Sequence, residues 1–198
     1  MRFGIGYGEV IAAVVLAAGA STRLGEPKQL AMLGGETLLE RAARTAREAG
    51  CAPVVVVLGA SYAQVLAATF GKLGDAIPVI NDKWQKGMST SIGLGVRTLA
   101  LVAKGADGVV LMTCDQPAVT AEHLRALTAS GEVTASAYAG RRGVPAFFPA
   151  ATFAGLMELH GDAGARELLR AVATVELAGG ELDVDTSTDL AVAKRLFR

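Results

Sequence analysis

Apolar runs alternate with helical patterns along this chain, and the alternation sets the expected architecture. Residues 11–16 are apolar throughout, which suits a strand covered on both faces in a parallel sheet. Residues 54–58 have the same character, and so do 109–112 before Thr113 closes the run. In residues 37–49, Leu38, Leu39, Ala42, Ala43, Ala46 and Ala49 recur at helical spacing, with Gly50 at the stop position. Ser61 and Gln64 form a capping-box pattern for a helix to about residue 70; Ser89 is a candidate N-cap for a helix to about 104, and Thr120 for one to about 129.

Residues 77–80 predict a short strand, and 133–139 with 144–148 a strand pair joined by residues 140–143. Helices over 150–159 and 163–171, strands over 174–177 and 182–184, and a helix opened by Thr186 with Asp189 complete the pattern. Strands alternating with helices, without an internal repeat, predict a three-layer, doubly wound α/β fold whose sheet is mostly parallel and mixed at one edge. In such sheets ligands bind outside the carboxyl ends of the strands. That singles out residues 17–28, 81–91 and 114–117.

Composition narrows the function classes. The 198 residues fit one domain over 11–198 preceded by an extension over 1–10, and 19 basic side chains balance 19 acidic ones. No net field favours nucleic acid or anionic lipid. No apolar run reaches the ~20 residues of a membrane helix, and the first ten residues lack a signal-peptide core, so a soluble cytoplasmic protein is expected. Cys51 and Cys114 lack metal-ligand spacing and predict buried, reduced thiols.

The stretch LAAGASTRLGEPKQL, residues 16–30, is far longer than a strand-to-helix turn requires. It is not a Walker A loop, because Glu26 and Pro27 precede Lys28 and no G-x-x-x-x-G-K-[ST] is present. Gly4, Gly6 and Gly8 precede the first strand, where a dinucleotide fingerprint would follow it. Ala17, Ala18 and Gly19 are small enough for a ligand to touch the backbone, and Arg23 and Lys28 supply positive charge. Asp115, at the end of a buried strand, suits Mg²⁺, which takes one or two carboxylates plus substrate phosphates. Asp183 and Asp185 share a strand face by period-two spacing, so either is a candidate second acid, with helix capping as the alternative role of Asp185. His123 falls inside a predicted helix, and neither it nor His160 forms a nucleophile–base pair. Phosphoryl or nucleotidyl transfer to a phosphate needs none, since that acceptor is already an anion.

These motifs, with NDKWQKGMSTSI at 81–92, CDQP at 114–117, RRGVPAFF at 141–148, GDAGAR at 161–166 and DVDTSTDL at 183–190, resemble the molybdenum cofactor cytidylyltransferase branch of the GT-A-like nucleotidyltransferases. The resemblance implies transfer of CMP from CTP to the terminal phosphate of molybdopterin, with Mg²⁺ as cofactor and a molybdoenzyme or its chaperone as a further partner. It implies that Leu16, Ala17, Ala18, Gly19, Ser89, Ser91 and Gln116 face the nucleotide and that Arg23 and Lys28 hold the triphosphate. Asp115 would hold the metal with Asp185, and Arg142 and Arg166 would meet the acceptor's phosphate. The LAAG form with DQP accompanies CTP, whereas a second loop glycine accompanies GTP in the guanylyl relatives. Cys114 stands where glycine is frequent. A related branch reduces a nicotine-derived pigment with NAD(P)H, and a non-catalytic pterin carrier is the remaining alternative.

Overall fold

The computed structural model describes residues 9–161 and 166–197, with nothing said of the side chains of residues 166 and 167. Seven strands form the main sheet: β1 (Ile11–Ala17), β4 (Val54–Leu58), β5 (Ile77–Ile80), β6 (Gly108–Thr113), β7 (Thr134–Tyr138), β8 (Arg141–Pro149) and β9 (Ala173–Glu176). A two-stranded hairpin of β2 (Met32–Leu33) and β3 (Glu36–Thr37), absent from the predicted elements, stands apart. The sheet order is β5-β4-β1-β6-β8-β7-β9, and among the described residues only β8 runs against the other six. The chain leaves β1 toward β4 and β5, then returns to β6 on the other side. The strand order therefore reverses between β1 and β6, where doubly wound sheets bind ligands.

Helices α1 (Leu38–Glu48), α2 (Tyr62–Thr69) and α4 (Ala121–Thr128) cover one face; α3 (Met88–Val102) and α5 (Phe153–Met157) cover the other. Alternate residues of β1 divide between the two cores: Ala13, Val15 and Ala17 join Leu39 and Leu124, while Ala12, Val14 and Leu16 join Ile92 and Val96. That two-sided burial is what the unbroken apolar runs require. A third cluster joins Leu33 and Leu38 to Val184 and to Ala193 on α6 (Ser187–Leu196). It carries the C-terminal segment back to the end of β6.

Several local expectations change. Ser61 adopts φ 55°, and its side chain makes no capping bond. Helix α3 begins at Met88 rather than after Ser89, because Gly87, at φ 104°, supplies the turn that a side chain would resist. Ser89 therefore lies inside the first turn. Residues 150–159 divide into a 3-10 turn and the short α5. Of the helix expected over 163–171, residues 163–165 lie outside the described residues and Arg166–Leu169 form a 3-10 turn. Residues 182–184 join no strand, and most of the N-terminal extension, residues 1–8, also lies outside the described residues.

Helix α3 can approach the sheet because Gly95 faces it. A Cβ there would stand 2.5 Å from a methyl of Val14 and 3.2 Å from one of Val57. Both are fully buried. Gly95→Ala is therefore expected to destabilise the fold by ~1–3 kcal/mol, the usual cost of overpacking a filled core. Urea denaturation measures it, and unchanged stability would show that the α3–sheet contact has slack.

Candidate active site

The carboxyl ends of β1 and β6 bring three charged groups to one point. Lys28 follows the long loop after β1 and donates from Nζ to Asp115 Oδ2 at 2.5 Å and to Asp185 Oδ1 at 2.8 Å. Arg23 reaches the other oxygen of Asp185 at 2.6 Å. Burial opposes the charge on Lys28, but Asp115 and Asp185 outweigh it and hold the ammonium well above its usual pKa. Burial likewise opposes the charge on Asp185, and the Lys28 hydrogen bond prevails to lower its pKa.

Asp185 reaches the site through backbone accounting. The buried Val184 donates its N–H to the Asp115 carbonyl at 2.9 Å, leaving Asp183 and Asp185 on either side of an anchored residue. Thr186 caps α6, and Asp189 completes its capping box. The capping role thus falls to Thr186, and the Asp185 carboxylate faces the cations. Asp183, the other candidate second acid, does not meet Lys28; its carboxyl is pushed up to about 6 by burial first and then by Asp115 and Asp185.

The loop is shaped by residues that carry no obvious chemistry. The fully buried Gln29 donates Nε2 to the carbonyls of Ala17 at 2.7 Å and Gly19 at 3.1 Å, and the Ala18 carbonyl accepts from Ala60 N–H at 3.0 Å. With these carbonyls turned inward, the N–H groups of Gly19 to Arg23 have no acceptor in the protein among the described residues. Such a run of free amides suits an anion. Gly59 closes the floor: a Cβ there would meet the Ala18 methyl at 2.8 Å and Trp84 Cβ at 2.7 Å.

Ser89 and Ser91 differ. Both are buried, but Ser91 Oγ accepts from Asn81 Nδ2 at 2.9 Å, whereas Ser89 Oγ has no partner among the described residues. A buried unpartnered hydroxyl calls for a ligand or water to complete it. Leu16 lies within the sheet, 6% exposed. The Gln116 amide is engaged within the protein, accepting from Thr113 and donating to Tyr138 Oη and the Gly180 carbonyl, each at 3.2–3.3 Å. It braces the turn that holds Asp115. Arg142 donates to the Arg170 carbonyl at 3.2 Å, and the side chain of Arg166 lies outside the described residues. His123 Nε2 lies 2.7 Å from the buried Ser136 hydroxyl, and burial lowers its pKa. It belongs to the core. Cys51 and Cys114 are free and buried, with burial pushing the Cys114 thiol up to about 12.

The roles of Gln29, Asn81 and Gly59 escaped the sequence reading: Gln29 and Asn81 lie within quoted motifs, but nothing local marks either as a loop anchor.

Among the described residues no group of three or more His, Cys, Asp or Glu side chains is disposed to hold a metal by itself. Two carboxylates already converging on one cation do match the donor set that Mg²⁺ takes together with phosphates.

The Asp183 environment has a measurable consequence. Its carboxyl ionises near 3.8 ordinarily and near 6 in the folded chain, so over that interval the folded state binds more protons and stability falls as pH rises. The full rise would correspond to about 3 kcal/mol. Solvent access to this half-buried group reduces the expected effect to ~1 kcal/mol. In chelator-treated protein, Asp183→Asn should match wild type at pH 4 and exceed its urea stability at pH 7. An equal difference at both pH values would exclude ionisation as the cause.

Comparison with known proteins agrees with this geometry. Residues 13–177 match the family described as MobA-like NTP transferase domain. The chain is 31% identical over 201 residues to the purine catabolism protein PucB of Bacillus subtilis, covering 92% of this chain and 95% of that protein. It is 34% identical over 172 residues to the nicotine blue oxidoreductase of Paenarthrobacter nicotinovorans, covering 81% of each. Over about half of each chain, 56% of this one and 50% of the other, it is 33% identical to a probable molybdenum cofactor guanylyltransferase of Opitutus terrae. The solved structure of Rv0371c from Mycobacterium tuberculosis superposes with a TM-score of 0.77 at 31% identity, covering 95% and 99% of the two chains, and that protein also has a structure as a manganese complex. With the strand order, the loop after β1 and the lysine-bridged carboxylates in place, the match over residues 13–177 places this chain in the family of MobA-like NTP transferase domains.

Proposed function

We propose that this chain transfers CMP from CTP to the terminal phosphate of molybdopterin and releases pyrophosphate. The observation that carries the reading is the Lys28 ammonium held between Asp115 and Asp185 at the reversal point of the sheet, beside a loop with free amides. In the resting protein Lys28 neutralises the two carboxylates. On nucleotide binding it turns to the triphosphate, and Asp115 and Asp185 become free to hold Mg²⁺. Bound there, Mg²⁺ supplies charge neutralisation on the triphosphate. Arg23 and Lys28 hold the β- and γ-phosphates, and the Gly19–Arg23 amides take further oxygens. An oxygen of the acceptor phosphate attacks the α-phosphorus, the bond to the bridging oxygen breaks, and pyrophosphate departs with its electron pair. No general base is required, which fits a His123 engaged in the core.

The base reading rests on Ala18. Its methyl lies close against Gly59, and its bulk limits the room a base has over that part of the loop. A pyrimidine needs less room than a purine. The molybdopterin acceptor draws support from the CDQP, GDAGAR and DVDTSTDL motifs and from the Opitutus terrae relative. A molybdoenzyme or its chaperone would receive the product. The second reading, an NAD(P)H-dependent reductase, is favoured by the nicotine blue oxidoreductase relative alone.

Purified protein with molybdopterin and Mg²⁺ should release pyrophosphate faster with CTP than with GTP or ATP. NADPH consumption with a dye acceptor and no pyrophosphate would establish the reductase instead. Asp115→Asn should lower turnover at least ~100-fold while circular dichroism stays native, since a charge stabiliser of the transition state is typically worth that much. Near-native turnover would remove Asp115 from the metal site. Ala18→Gly should reduce the kcat/KM ratio of CTP over GTP by ~10-fold, the scale of ~1–3 kcal/mol that one methyl supplies in a pocket. An unchanged ratio would take Ala18 out of base selection.

A further inference from the structure

We propose that Arg141, at the tip of the β7–β8 hairpin, is the residue that receives the acceptor's phosphate, and that Tyr138 is the platform that presents it. The inference rests on the nucleotidyl-transfer reading and specifies which side chain meets the second substrate.

Topology places the hairpin. The loop after β1 and the start of α3 lie on the β1–β4–β5 side of β6. Because β8 runs antiparallel to β6, its first residue, Arg141, stands at the same end of the sheet as Asp115 but on the opposite side of it, paired with Tyr138. An acceptor must approach Asp115 from the side the nucleotide leaves open. That side is the hairpin.

Tyr138 is built as a fixed support. The ring is 6% exposed, its hydroxyl donates to the Val144 carbonyl at 3.0 Å, and it accepts from Gln116 Nε2 at 3.3 Å. Two glycines make room for it: a Cβ on Gly180 would stand 2.9 Å from ring Cδ1, and one on Gly143 would collide with the phenol oxygen. Through Gln116, the residue after Asp115, the ring is tied directly to the turn that carries the metal-site acid.

Arg141 lies over this ring, with Cζ 5.2 Å from its centroid. A cation–π contact engages the face of the guanidinium and leaves its in-plane N–H donors free. Among the described residues Arg141 makes no hydrogen bond or ion pair, and its positive charge acts on Asp183, next to the site. Arg142, the next residue on the strand, donates instead to the Arg170 carbonyl. The sequence offers two adjacent arginines; the fold leaves the fork of Arg141 open at the Asp115 end of the sheet. An open planar fork held by its face matches a phosphate, which it can bind through two parallel hydrogen bonds.

The test separates the acceptor site from the acceptor's identity. With the nucleotide site filled by an α,β-methylene analogue of CTP and Mg²⁺, phenyl phosphate is titrated by calorimetry into wild type, Arg141→Ala, Arg141→Lys and Arg142→Ala protein. The expected result is wild-type binding weakened at least 10-fold in Arg141→Ala, partly retained in Arg141→Lys, and weakened less in Arg142→Ala. Absence of wild-type binding, an unaffected Arg141→Ala, or an equal or larger loss in Arg142→Ala overturns the proposal. Affinity for the nucleotide analogue, measured with the same samples, should not change and reports folding; Arg141→Gln replaces Arg141→Ala if that variant fails this control. Phenyl phosphate binding that depends on Arg141, in a protein that does not turn over molybdopterin, rejects molybdopterin as the acceptor while the role of Arg141 stands.

Discussion

The ion triad of Lys28, Asp115 and Asp185 is the constraint around which the site is arranged. Three charged side chains, the Lys28 and Asp115 ones only 16% and 13% exposed, sit where the backbone of two strands ends. Removing one partner would leave an uncompensated, partly buried charge, so the three hold one another in register. The same arrangement explains how a site can be charged and yet stable without substrate. In the proposed reaction lysine stands between the carboxylates until phosphates and a metal offer both signs of charge a better partner.

Around the triad, close approach takes over from charge. Gly95 brings α3 against β1, Gly59 lets Ala18 and Trp84 each close on the glycine's own backbone, and Gly143 with Gly180 admits the Tyr138 ring. Each glycine acts by the absence of a Cβ, and each places a neighbouring element within reach of the carboxyl ends of β1 and β6. The polar anchors have the complementary task. Gln29 and Ala60 turn the loop carbonyls inward, and Gln116 ties the Asp115 turn to the hairpin. The backbone amides of Gly19 to Arg23 are left without an acceptor among the described residues.

The two halves of the cleft consequently differ in kind. The β1 side offers amides and a buried hydroxyl, groups that follow the contour of a nucleotide. The β7–β8 side offers one guanidinium on an aromatic support. Asp115 lies between them at the strand reversal, where the proposed transfer would need a group passing from one ligand to the other to be stabilised.

How far the sequence determined this protein can be seen element by element. The unbroken apolar runs of β1, β4 and β6 specified buried parallel strands, because only a two-sided core accommodates apolar side chains at every position. Local capping chemistry specified the starts of α4 and α6. It failed at Ser61 and Ser89, where backbone conformation at Ser61 and Gly87 overrode side-chain preference. The loop with Arg23 and Lys28 and the acid at Asp115 were legible, since charge at the end of an apolar strand has few other uses. What the sequence could not decide was which distant groups would meet. The residues alone left Asp183 and Asp185 as equal candidates to join Asp115; the Val184 N–H bond to the Asp115 carbonyl anchors the segment so that Asp185, 157 residues from Lys28, meets its ammonium. Gln29 and Gln116 act through contacts that no periodicity encodes. Of two neighbouring arginines only the tertiary structure distinguished the one with open donors, because strand alternation sends adjacent side chains to opposite faces and the partners waiting on each face come from elsewhere in the chain.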